Sequence, residues 1–306
     1  MKVAITGATG FVGSFVLRSI LQEQKHEVAV LGRDRDAAWR IADVVDYLQW
    51  IQADLDHTNS YSNALHAFSP DAVIHLAWSG VGSADRNSPQ QFQNLQSSIN
   101  LLEEAISAGC KHWIGLGSQA EYGPCRNRVS ESQTTQPTTL YGQSKLSAGQ
   151  LISMRCQQMG IRYAWMRLFS SFGPTDNPQW MIPYLIQQLN RKERPALTQG
   201  EQLWDYIYVE DAANAVRSVL NTPSATGVFN LGSGKTIQLR HFVEKIRDRI
   251  DPTLSLGFGE VAYRADQVMH LEANITRLKE LTGWEPAMPL DTAIANTVAW
   301  YTQTQS

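Results

Sequence analysis

Residues 3–13 read Val-Ala-Ile-Thr-Gly-Ala-Thr-Gly-Phe-Val-Gly, a short apolar run that leads into three glycines spaced three residues apart. Where such a run is a strand and a helix follows, Gly7 permits the tight turn, Gly10 lets the backbone approach a pyrophosphate and Gly13 allows close packing of helix on strand. The helix N-terminus then faces the phosphates with free N–H groups. We therefore predict a dinucleotide site with contacts from Gly7, Thr9, Gly10, Phe11, Val12 and Gly13.

Short apolar runs rich in β-branched residues alternate with helical patterns through the first half of the chain. One helical pattern spaces apolar residues from Phe92 to Ile106 and ends near Gly109, a common helix terminator. Such alternation predicts parallel strands joined by helical crossovers, a doubly wound (Rossmann) sheet of the α/β class. The predicted strands are Val3–Thr6, Val28–Leu31, Trp50–Ile51, Val73–Leu76, Trp113–Leu116 and Tyr163–Leu168.

The pattern changes from about Phe172, where proline becomes frequent and the strands lose their regular spacing. Two later runs, Asp205–Val209 and Val228–Leu231, still predict strands, so we expect the chain to return to the large sheet. The predicted division is a dinucleotide-binding domain over residues 1–171, to which 205–232 return, and a smaller mixed α/β substrate-binding lobe over 172–204 and 233–306.

Composition and charge narrow the class of protein. A chain of 306 residues with 43% apolar residues can bury a full core. Its net charge of −3 comes from both signs spread along the chain, which argues against a nucleic-acid partner. Cys110, Cys125 and Cys156 lack metal-ligand spacing and argue against a disulfide framework. The apolar runs are too short for a membrane span and no signal peptide is evident, so we expect a cytoplasmic protein.

The end of the second predicted strand bears on the choice of nicotinamide cofactor. NAD enzymes usually place there an acid that bonds the ribose hydroxyls, whereas this chain has Gly32 followed by Arg33. The paired donors of Arg33 suit a 2′-phosphate, so we expect NADP(H) in preference to NAD(H). Asp34 keeps open the alternative that it bonds the ribose while Arg33 is solvated. Asp54, after the third strand, could contact adenine or be a turn residue.

Tyr141 and Lys145 lie four residues apart at the start of a later helical stretch. An i, i+4 pair occupies one helix face, and an ammonium beside a phenol lowers the pKa of the phenol from about 10 toward the neutral range. Ser118 follows a predicted strand, at the edge where ligands of a doubly wound sheet bind, and could bond a substrate oxygen. By itself, such a Tyr/Lys pair is also common on solvated helices.

Taken together, these motifs resemble the short-chain dehydrogenase/reductase superfamily, in particular its extended branch that modifies nucleotide sugars. The resemblance implies that Tyr141 donates or accepts the proton, that Lys145 and Ser118 assist it, and that Asn94 supports the active-site helix. His75 is expected to pack under the cofactor turn. The motifs beyond residues 3–13 lie at 71–77, 94, 118–123, 141–145, 205–211, 230–234 and 281–286, and further cofactor contacts are expected at Leu55, Leu76, Ala77 and Leu168.

The same resemblance implies a substrate with a nucleoside diphosphate handle gripped by the smaller lobe. Trp204 and Ser170 stand where relatives commonly carry arginine and asparagine, so the sequence does not identify the nucleotide base of the substrate. Tryptophans are candidate stacking surfaces, although they are more often packing residues. Glu121 could select sugar hydroxyls or be a surface acid. The expected substrate contacts are Trp78, Ser118, Gln119, Glu121, Ser170, Trp180, Trp204 and Arg264, the last on the diphosphate.

The residues after Ser118 separate the reactions of this branch. The 4,6-dehydratases commonly carry an Asp-Glu pair there, and Gln119 and Ala120 cannot shuttle a proton, which argues against dehydration. Fucose-synthase-like epimerases carry cysteine where Ala120 stands. We therefore expect NADPH-dependent reduction of an NDP-4-keto-6-deoxyhexose at C4. The alternatives are an NDP-sugar 4-epimerase with bound NAD and, from another class, an NADP-binding sensor or scaffold without turnover.

A homodimer is the expected assembly. Members of the extended branch commonly pair two helices from each subunit into a four-helix bundle, and the corresponding stretches here are Pro89–Ala108 and Leu140–Gln158. Both stretches carry enough apolar positions for two packing faces.

Overall fold

A computed structural model describes residues 1–82, 84–263 and 267–303 of the chain. The strands in chain order are β1 (Lys2–Thr6), β2 (Glu27–Gly32), β3 (Gln49–Gln52), β4 (Ala72–His75), β5 (His112–Ser118), β6 (Arg162–Leu168), β7 (Ser170–Phe172), β8 (Ala196–Leu197), β9 (Leu203–Tyr208), β10 (Gly227–Leu231), β11 (Thr236–Gln238), β12 (Gly257–Phe258) and β13 (His270–Leu271). The α-helices are α1 (Phe11–Leu21), α2 (Ser62–Phe68), α3 (Gln90–Ser107), α4 (Leu140–Gln158), α5 (Met181–Asn190), α6 (Val209–Asn221), α7 (Leu239–Ile250), α8 (Thr276–Thr282) and α9 (Leu290–Gln303).

Seven parallel strands form the large sheet, in the order β10-β6-β5-β4-β1-β2-β3. The six strands predicted from the first half of the sequence all lie in this sheet, so the predicted doubly wound α/β class is confirmed. The winding direction reverses between β1 and β4, which are neighbours in the sheet. A crevice opens outside the carboxyl ends of the strands at such a reversal, and ligands of these folds bind there.

The large sheet is buried on both faces because alternate residues of each strand point to opposite sides. Val3 and Ile5 of β1 pack in one core cluster with apolar residues of α1 and α6. Ala4, between them, packs in a second cluster with residues of α2, α3 and α4. Burial on both faces fixes the carboxyl ends of the strands, and the candidate site residues stand on that fixed edge.

The smaller lobe is a mixed sheet with helices over it. Its strands run β11-β9-β13, with β7 also paired to β9; β11 is antiparallel to β9 and the other pairs are parallel. A short pair, β8 and β12, lies beside it. Helices α5, α7 and α9 close a third apolar cluster around Phe172 and Phe242.

The boundaries between the two parts need two corrections. The run predicted over Asp205–Val209 is a strand, β9, but it pairs within the small sheet, so the return to the large domain begins with α6 at Val209. Strand β7, which starts at Ser170, also pairs with β9, so the smaller lobe starts there and not at residue 172. Strand β10 does join the large sheet, beside β6.

Within the described residues, no helix combines the length and the hydropathy of a membrane span. Among the same residues, no cluster of three or more His, Cys, Asp or Glu side chains is arranged to hold a metal ion.

Candidate active site

The turn after β1 is shaped for close approach of backbone and ligand. Gly7 has a φ of +73°, and a Cβ there would lie 2.6 Å from the amide nitrogen of Ala77, so only glycine fits. A Cβ on Gly13 would lie 2.0 Å from the Gly7 carbonyl oxygen. Helix α1 begins after Gly10 without a side-chain cap, which leaves the first N–H groups of the helix free. These residues fit a dinucleotide pyrophosphate, which accepts such donors.

A buried hydrogen-bond chain supports this turn from below. His75 Nδ1 lies 2.8 Å from Thr6 Oγ1 and His75 Nε2 lies 2.9 Å from Ser98 Oγ. Burial lowers the pKa of His75 to about 3, so the ring is neutral at physiological pH. His75 therefore has the structural role expected from the sequence.

The Asn94 side chain holds the loop after β4 in place. Its side chain accepts a hydrogen bond from Ser79 N at 3.1 Å and donates one to Ser79 O at 2.8 Å. Gln91, one turn earlier, donates to the carbonyls of Gly80 and Asp85. Its hydrogen bonds thus support the loop that follows β4, and support of the active-site helix stays a prediction.

Trp50 fills the space above Gly32, at the end of β2. A Cβ on Gly32 would lie 2.5 Å from Trp50 Cη2, so an acid at this position has no room while the indole stays in place. Trp50 Nε1 donates to Gln52 at 3.4 Å, and the Gln52 amide donates to the Arg33 carbonyl. The Arg33 side chain is exposed and forms no ion pair with any described residue, so it is available to an anionic ligand.

Both acids considered near the adenosine end serve local turns. Asp34 Oδ1 accepts from the backbone nitrogens of Asp36 and Ala37 at 2.9 and 3.2 Å. Asp54 accepts from Asp56 N at 3.2 Å and lies 3.1 Å from His57 Nδ1; the hydrogen bond from Asp56 N comes first among the causes that lower the pKa of Asp54. Of the other expected cofactor contacts, Leu76, Ala77 and Leu168 lie at the carboxyl edge, Thr9 lies in the glycine turn, and Leu55 packs against the core.

Ser118, Tyr141 and Lys145 come together at the carboxyl end of β5. Thr139 caps α4 by accepting from Gly142 N at 3.1 Å, which starts the helix just before Tyr141. The Tyr141 phenol lies beside the Ser118 side chain, which lowers the pKa of the phenol. Lys145, one helical turn later, donates from Nζ to the Leu116 carbonyl at 2.7 Å. All three side chains are buried.

The pKa values of the pair differ in part from the expectation. Burial lowers the pKa of Lys145 to about 7, against a weaker raising effect of Glu121. Burial raises the pKa of Tyr141, while the Ser118 side chain and the guanidinium of Arg86 lower it. Arg86, whose Cζ lies 5.7 Å from the Tyr141 ring centre, is therefore the cation that acts on the phenol in this structure. Nothing in the sequence around residue 86 pointed to that role.

Trp78 lies between the catalytic pair and the loop after β4. Lys145 Nζ stands 3.9 Å from the centre of the Trp78 ring, a cation–π contact, and the Tyr141 ring meets the indole edge to face at 6.4 Å. Trp78 Nε1 donates to Gln91 at 2.8 Å. The indole thus packs on the ammonium of Lys145, and its stacking on a base or sugar stays a prediction.

Glu121 is neither a substrate contact nor a surface acid. Its exposed fraction is 0%, and its carboxylate accepts from Ser118 N, Trp165 Nε1 and Arg167 Nε. The expectation for Glu121 is wrong because a carboxylate buried on these three donors has no face left for a sugar. Trp165 and Arg167 were not predicted as site residues, although a charged residue inside a buried parallel strand is itself a signal of a buried partner.

The remaining expected substrate contacts are spread around the edge of the site. Trp180 precedes α5 and is 40% exposed, and Gln119 is partly exposed beside Ser118. Trp204 donates from Nε1 to Val268 O at 2.9 Å and packs on Tyr206, so it has a packing role. Ser170 begins β7. Arg264 lies outside the described residues.

The fold and the site define a class. A doubly wound sheet with a glycine turn after β1, and a buried Ser–Tyr–Lys set at its carboxyl edge, is that of an extended short-chain dehydrogenase/reductase. The chain belongs to the NAD dependent epimerase/dehydratase family, whose model matches residues 3–232.

Individual relatives span the whole chain at low identity. A UDP-glucose 4-epimerase of Halalkalibacterium halodurans is 25% identical, with 98% of this chain and 96% of that protein covered. A dTDP-glucose 4,6-dehydratase of Salmonella typhimurium is also 25% identical, with 98% of this chain and 92% of that protein covered. Among solved structures, the UDP-N-acetylglucosamine 4-epimerase of Methanobrevibacter ruminantium superposes with a TM-score of 0.89 at 23% identity, over 99% of this chain and 98% of that one.

Proposed function

We propose that the protein interconverts a hydroxyl and a ketone at C4 of a nucleotide sugar, as an NDP-sugar 4-epimerase. The observation that carries the proposal is the buried set of Ser118, Tyr141 and Lys145 at the sheet edge that also bears the glycine turn. Curated relatives of comparable length include 4-epimerases, which favours this reaction over the ketone reduction expected from the sequence. Dehydration would need an acid–base pair directly after Ser118. Gln119 and Ala120 stand there and cannot transfer a proton, which argues against this reaction.

The turn at Gly7–Gly13 and Lys145 would hold a nicotinamide dinucleotide, which when bound would provide the hydride chemistry at the sugar carbon. The protein's own residues handle the oxygen on that carbon. Tyr141 gives the proton to an alkoxide or takes it from a hydroxyl, and Ser118 holds the oxygen in line with the phenol. The positive charge of Arg86 lowers the pKa of Tyr141, which offsets part of the cost of forming a phenolate in a buried place.

A second candidate is the NADPH-dependent 4-ketoreductase expected from the sequence. The unpaired Arg33 and the space closed above Gly32 by Trp50 favour it, since they suit a 2′-phosphate and exclude the ribose-binding acid. An exchangeable NADPH suits a one-way reduction, whereas an epimerase retains its cofactor through both hydride transfers. The two candidates therefore share a catalytic set and differ in the cofactor.

One experiment separates the candidates. Purified protein is incubated with UDP-glucose, UDP-N-acetylglucosamine or UDP-glucuronic acid, and the products are separated by anion-exchange chromatography; in parallel, NADPH oxidation is followed with dTDP-4-keto-6-deoxyglucose. An epimerase produces the C4 epimer with no added cofactor and releases NAD on denaturation. Stoichiometric NADPH oxidation with no epimer supports the reductase and overturns the epimerase.

The same assays test whether the protein is a catalyst or a cofactor-binding scaffold. Replacing Tyr141 with Phe removes the proton but keeps the ring, so turnover should fall by about 10²–10⁴-fold while cofactor affinity stays nearly unchanged. Turnover at the wild-type rate in Tyr141→Phe would remove the phenol from the mechanism. If the wild-type protein binds cofactor tightly and turns over no sugar, the scaffold alternative is supported.

We also propose a homodimer through α3 and α4. These helices pack against each other, joined by the Arg155–Glu103 ion pair with two bonds of 2.7 and 2.8 Å. Their outer faces expose Phe92 (57%), Leu151 (48%) and Met154 (61%) to solvent. Large apolar side chains on neighbouring helices are typical of a subunit interface, and two copies would bury them in a four-helix bundle.

A further inference from the structure

Three glycines make room for one indole behind the catalytic serine. A Cβ on Gly115 would lie 2.4 Å from Trp165 Cε3, one on Gly117 would lie 2.3 Å from Trp165 Nε1, and one on Gly149 would lie 2.9 Å from Trp165 Cε2. Gly115 and Gly117 belong to β5 and Gly149 to α4, so Trp165 of β6 is enclosed from two directions. The slot brings Trp165 Nε1 to 2.9 Å from Glu121 Oε1.

Glu121 is a buried anion with a complete set of donors. Oε1 also accepts from Ser118 N at 2.8 Å, and Oε2 accepts from Arg167 Nε at 2.7 Å. The Arg167 guanidinium lies 4.4 Å from the centre of the Tyr122 ring, which covers its other side. A charge at 0% exposure is tolerated only when it is paired and hydrogen-bonded, as Glu121 is.

This anion fixes the backbone that presents the Ser118 hydroxyl. Glu121 closes a capping box on the short helical turn 119–121: its carboxylate binds Ser118 N, while Ser118 Oγ accepts from Ala120 N at 3.2 Å. The same side chain lies beside the Tyr141 phenol and lowers its pKa. Any shift of Glu121 therefore moves Ser118 relative to the phenol.

We propose that Glu121 is a positioning residue for the reaction: seated on Trp165 and Arg167, it holds the Ser118 hydroxyl in line with Tyr141 and the substrate oxygen. Its charge also lies near Lys145 and favours the ammonium form of that side chain. The inference rests on the proposed function only in requiring hydroxyl–ketone chemistry at Tyr141. It applies equally to the epimerase and to the reductase.

The test is a double-mutant cycle between Glu121→Gln and Ser118→Ala, with turnover measured on the substrate that the wild-type protein uses. Glutamine keeps the size of the side chain and one acceptor oxygen, but it has no negative charge and cannot form the ion pair with Arg167. We expect kcat to fall by about tenfold or more with KM within about twofold, as for a displaced catalytic group. In the Ser118→Ala background, Glu121→Gln should lower kcat by less than about twofold, since the group that Glu121 positions is absent.

A matched control separates positioning from a general loss of structure. Glu131 accepts from Asn230 N at 2.8 Å and stands outside the site, so Glu131→Gln removes a comparable carboxylate and should leave kcat unchanged. If Glu121→Gln fails to fold, Trp165→Phe, which removes the indole donor together with part of the ring system, takes its place in the cycle. An equal loss of kcat in both Ser118 backgrounds would overturn the proposal.

A substrate-free measurement keeps this inference distinct from the proposed function. The ammonium of Lys145 is followed by NMR of isotope-labelled lysine and assigned with Lys145→Arg. Removing the negative charge of Glu121 should lower the pKa of Lys145 below its value near 7, because Glu121 raises it. An unchanged pKa overturns the electrostatic part of the role, whether or not any nucleotide sugar is turned over.

Discussion

Adding one methyl group at Gly117 should break the buried contact behind Ser118. A Cβ at this position would lie 2.3 Å from Trp165 Nε1 and 2.5 Å from Glu121 Oε1, two atoms that are joined by a 2.9 Å hydrogen bond. The indole has little room to retreat, since it stacks on Tyr163 and a Cβ on Gly115 would already lie 2.4 Å from it. Gly117→Ala thus inserts a carbon where the structure has a donor and an acceptor.

The expected cost follows from two terms. Losing a hydrogen bond to a charged acceptor costs about 1.5–3 kcal/mol, and overpacking a core costs about 1–3 kcal/mol. A total of roughly 4 kcal/mol corresponds to a fall in Tm on the order of 10 °C for a chain of this size. Thermal unfolding followed by circular dichroism gives the value.

A second glycine provides the matched control. A Cβ on Gly82 meets only Asp85 Oδ2, at 3.7 Å, so Gly82→Ala should change stability by less than about 1 kcal/mol. If Gly117→Ala unfolds within about 2 °C of the wild-type protein, the indole moves freely and the argument that Trp165 is a fixed support for Glu121 fails.

Three further outcomes are expected. The kcat/KM should decline as pH rises through about 7, because the Lys145 ammonium is lost above its lowered pKa, and Lys145→Arg, which keeps its charge, should remove that decline from the pH profile. Arg33→Ser should raise the Kd for NADPH by about 10–100-fold and leave that for NADH within about twofold in fluorescence titrations; equal changes would place Arg33 away from the 2′-phosphate. Met154→Asp, on the exposed face of α4, should give a monomeric mass by light scattering, whereas a dimeric mass would move the interface away from α3 and α4.

The large sheet was predictable because its strands are buried on both faces and stand out as apolar runs between helical patterns. The hydrophobic periodicity of a strand does not indicate which other strand it pairs with. Residues 205–208 have the pattern of a strand, yet whether they join the large or the small sheet depends on contacts with β7 and β11, which are not encoded within the run itself. The strand was therefore predicted correctly, but the domain boundary was predicted at the wrong position.

Site residues were predictable where the chemistry is local in sequence. The glycine turn and the Tyr141–Lys145 pair follow from spacing, and the structure brings Ser118 to the same edge. Glu121 was misassigned because its neighbours in sequence are polar, whereas its partners Trp165 and Arg167 lie more than forty residues away in β6. The contact of Trp78 with Lys145 was not predictable for the same reason, since the ammonium that it packs on belongs to α4.

The residues that distinguish the two candidate reactions lie at the ribose end of the site and not at the catalytic end. Gln119 and Ala120, which follow Ser118, offer no proton to a carbon atom, and both candidate reactions need acid–base chemistry only at the oxygen of one sugar carbon. An epimerase and a ketoreductase place the same demand on Tyr141: a proton moves to or from that oxygen while hydride moves on the carbon. They differ in whether the cofactor stays through a second transfer or leaves after the first. That difference depends on how firmly the adenosine end of the cofactor is held. At that end the chain departs from the usual NAD pattern, because Gly32 lies under Trp50 and Arg33 forms no ion pair with any described residue.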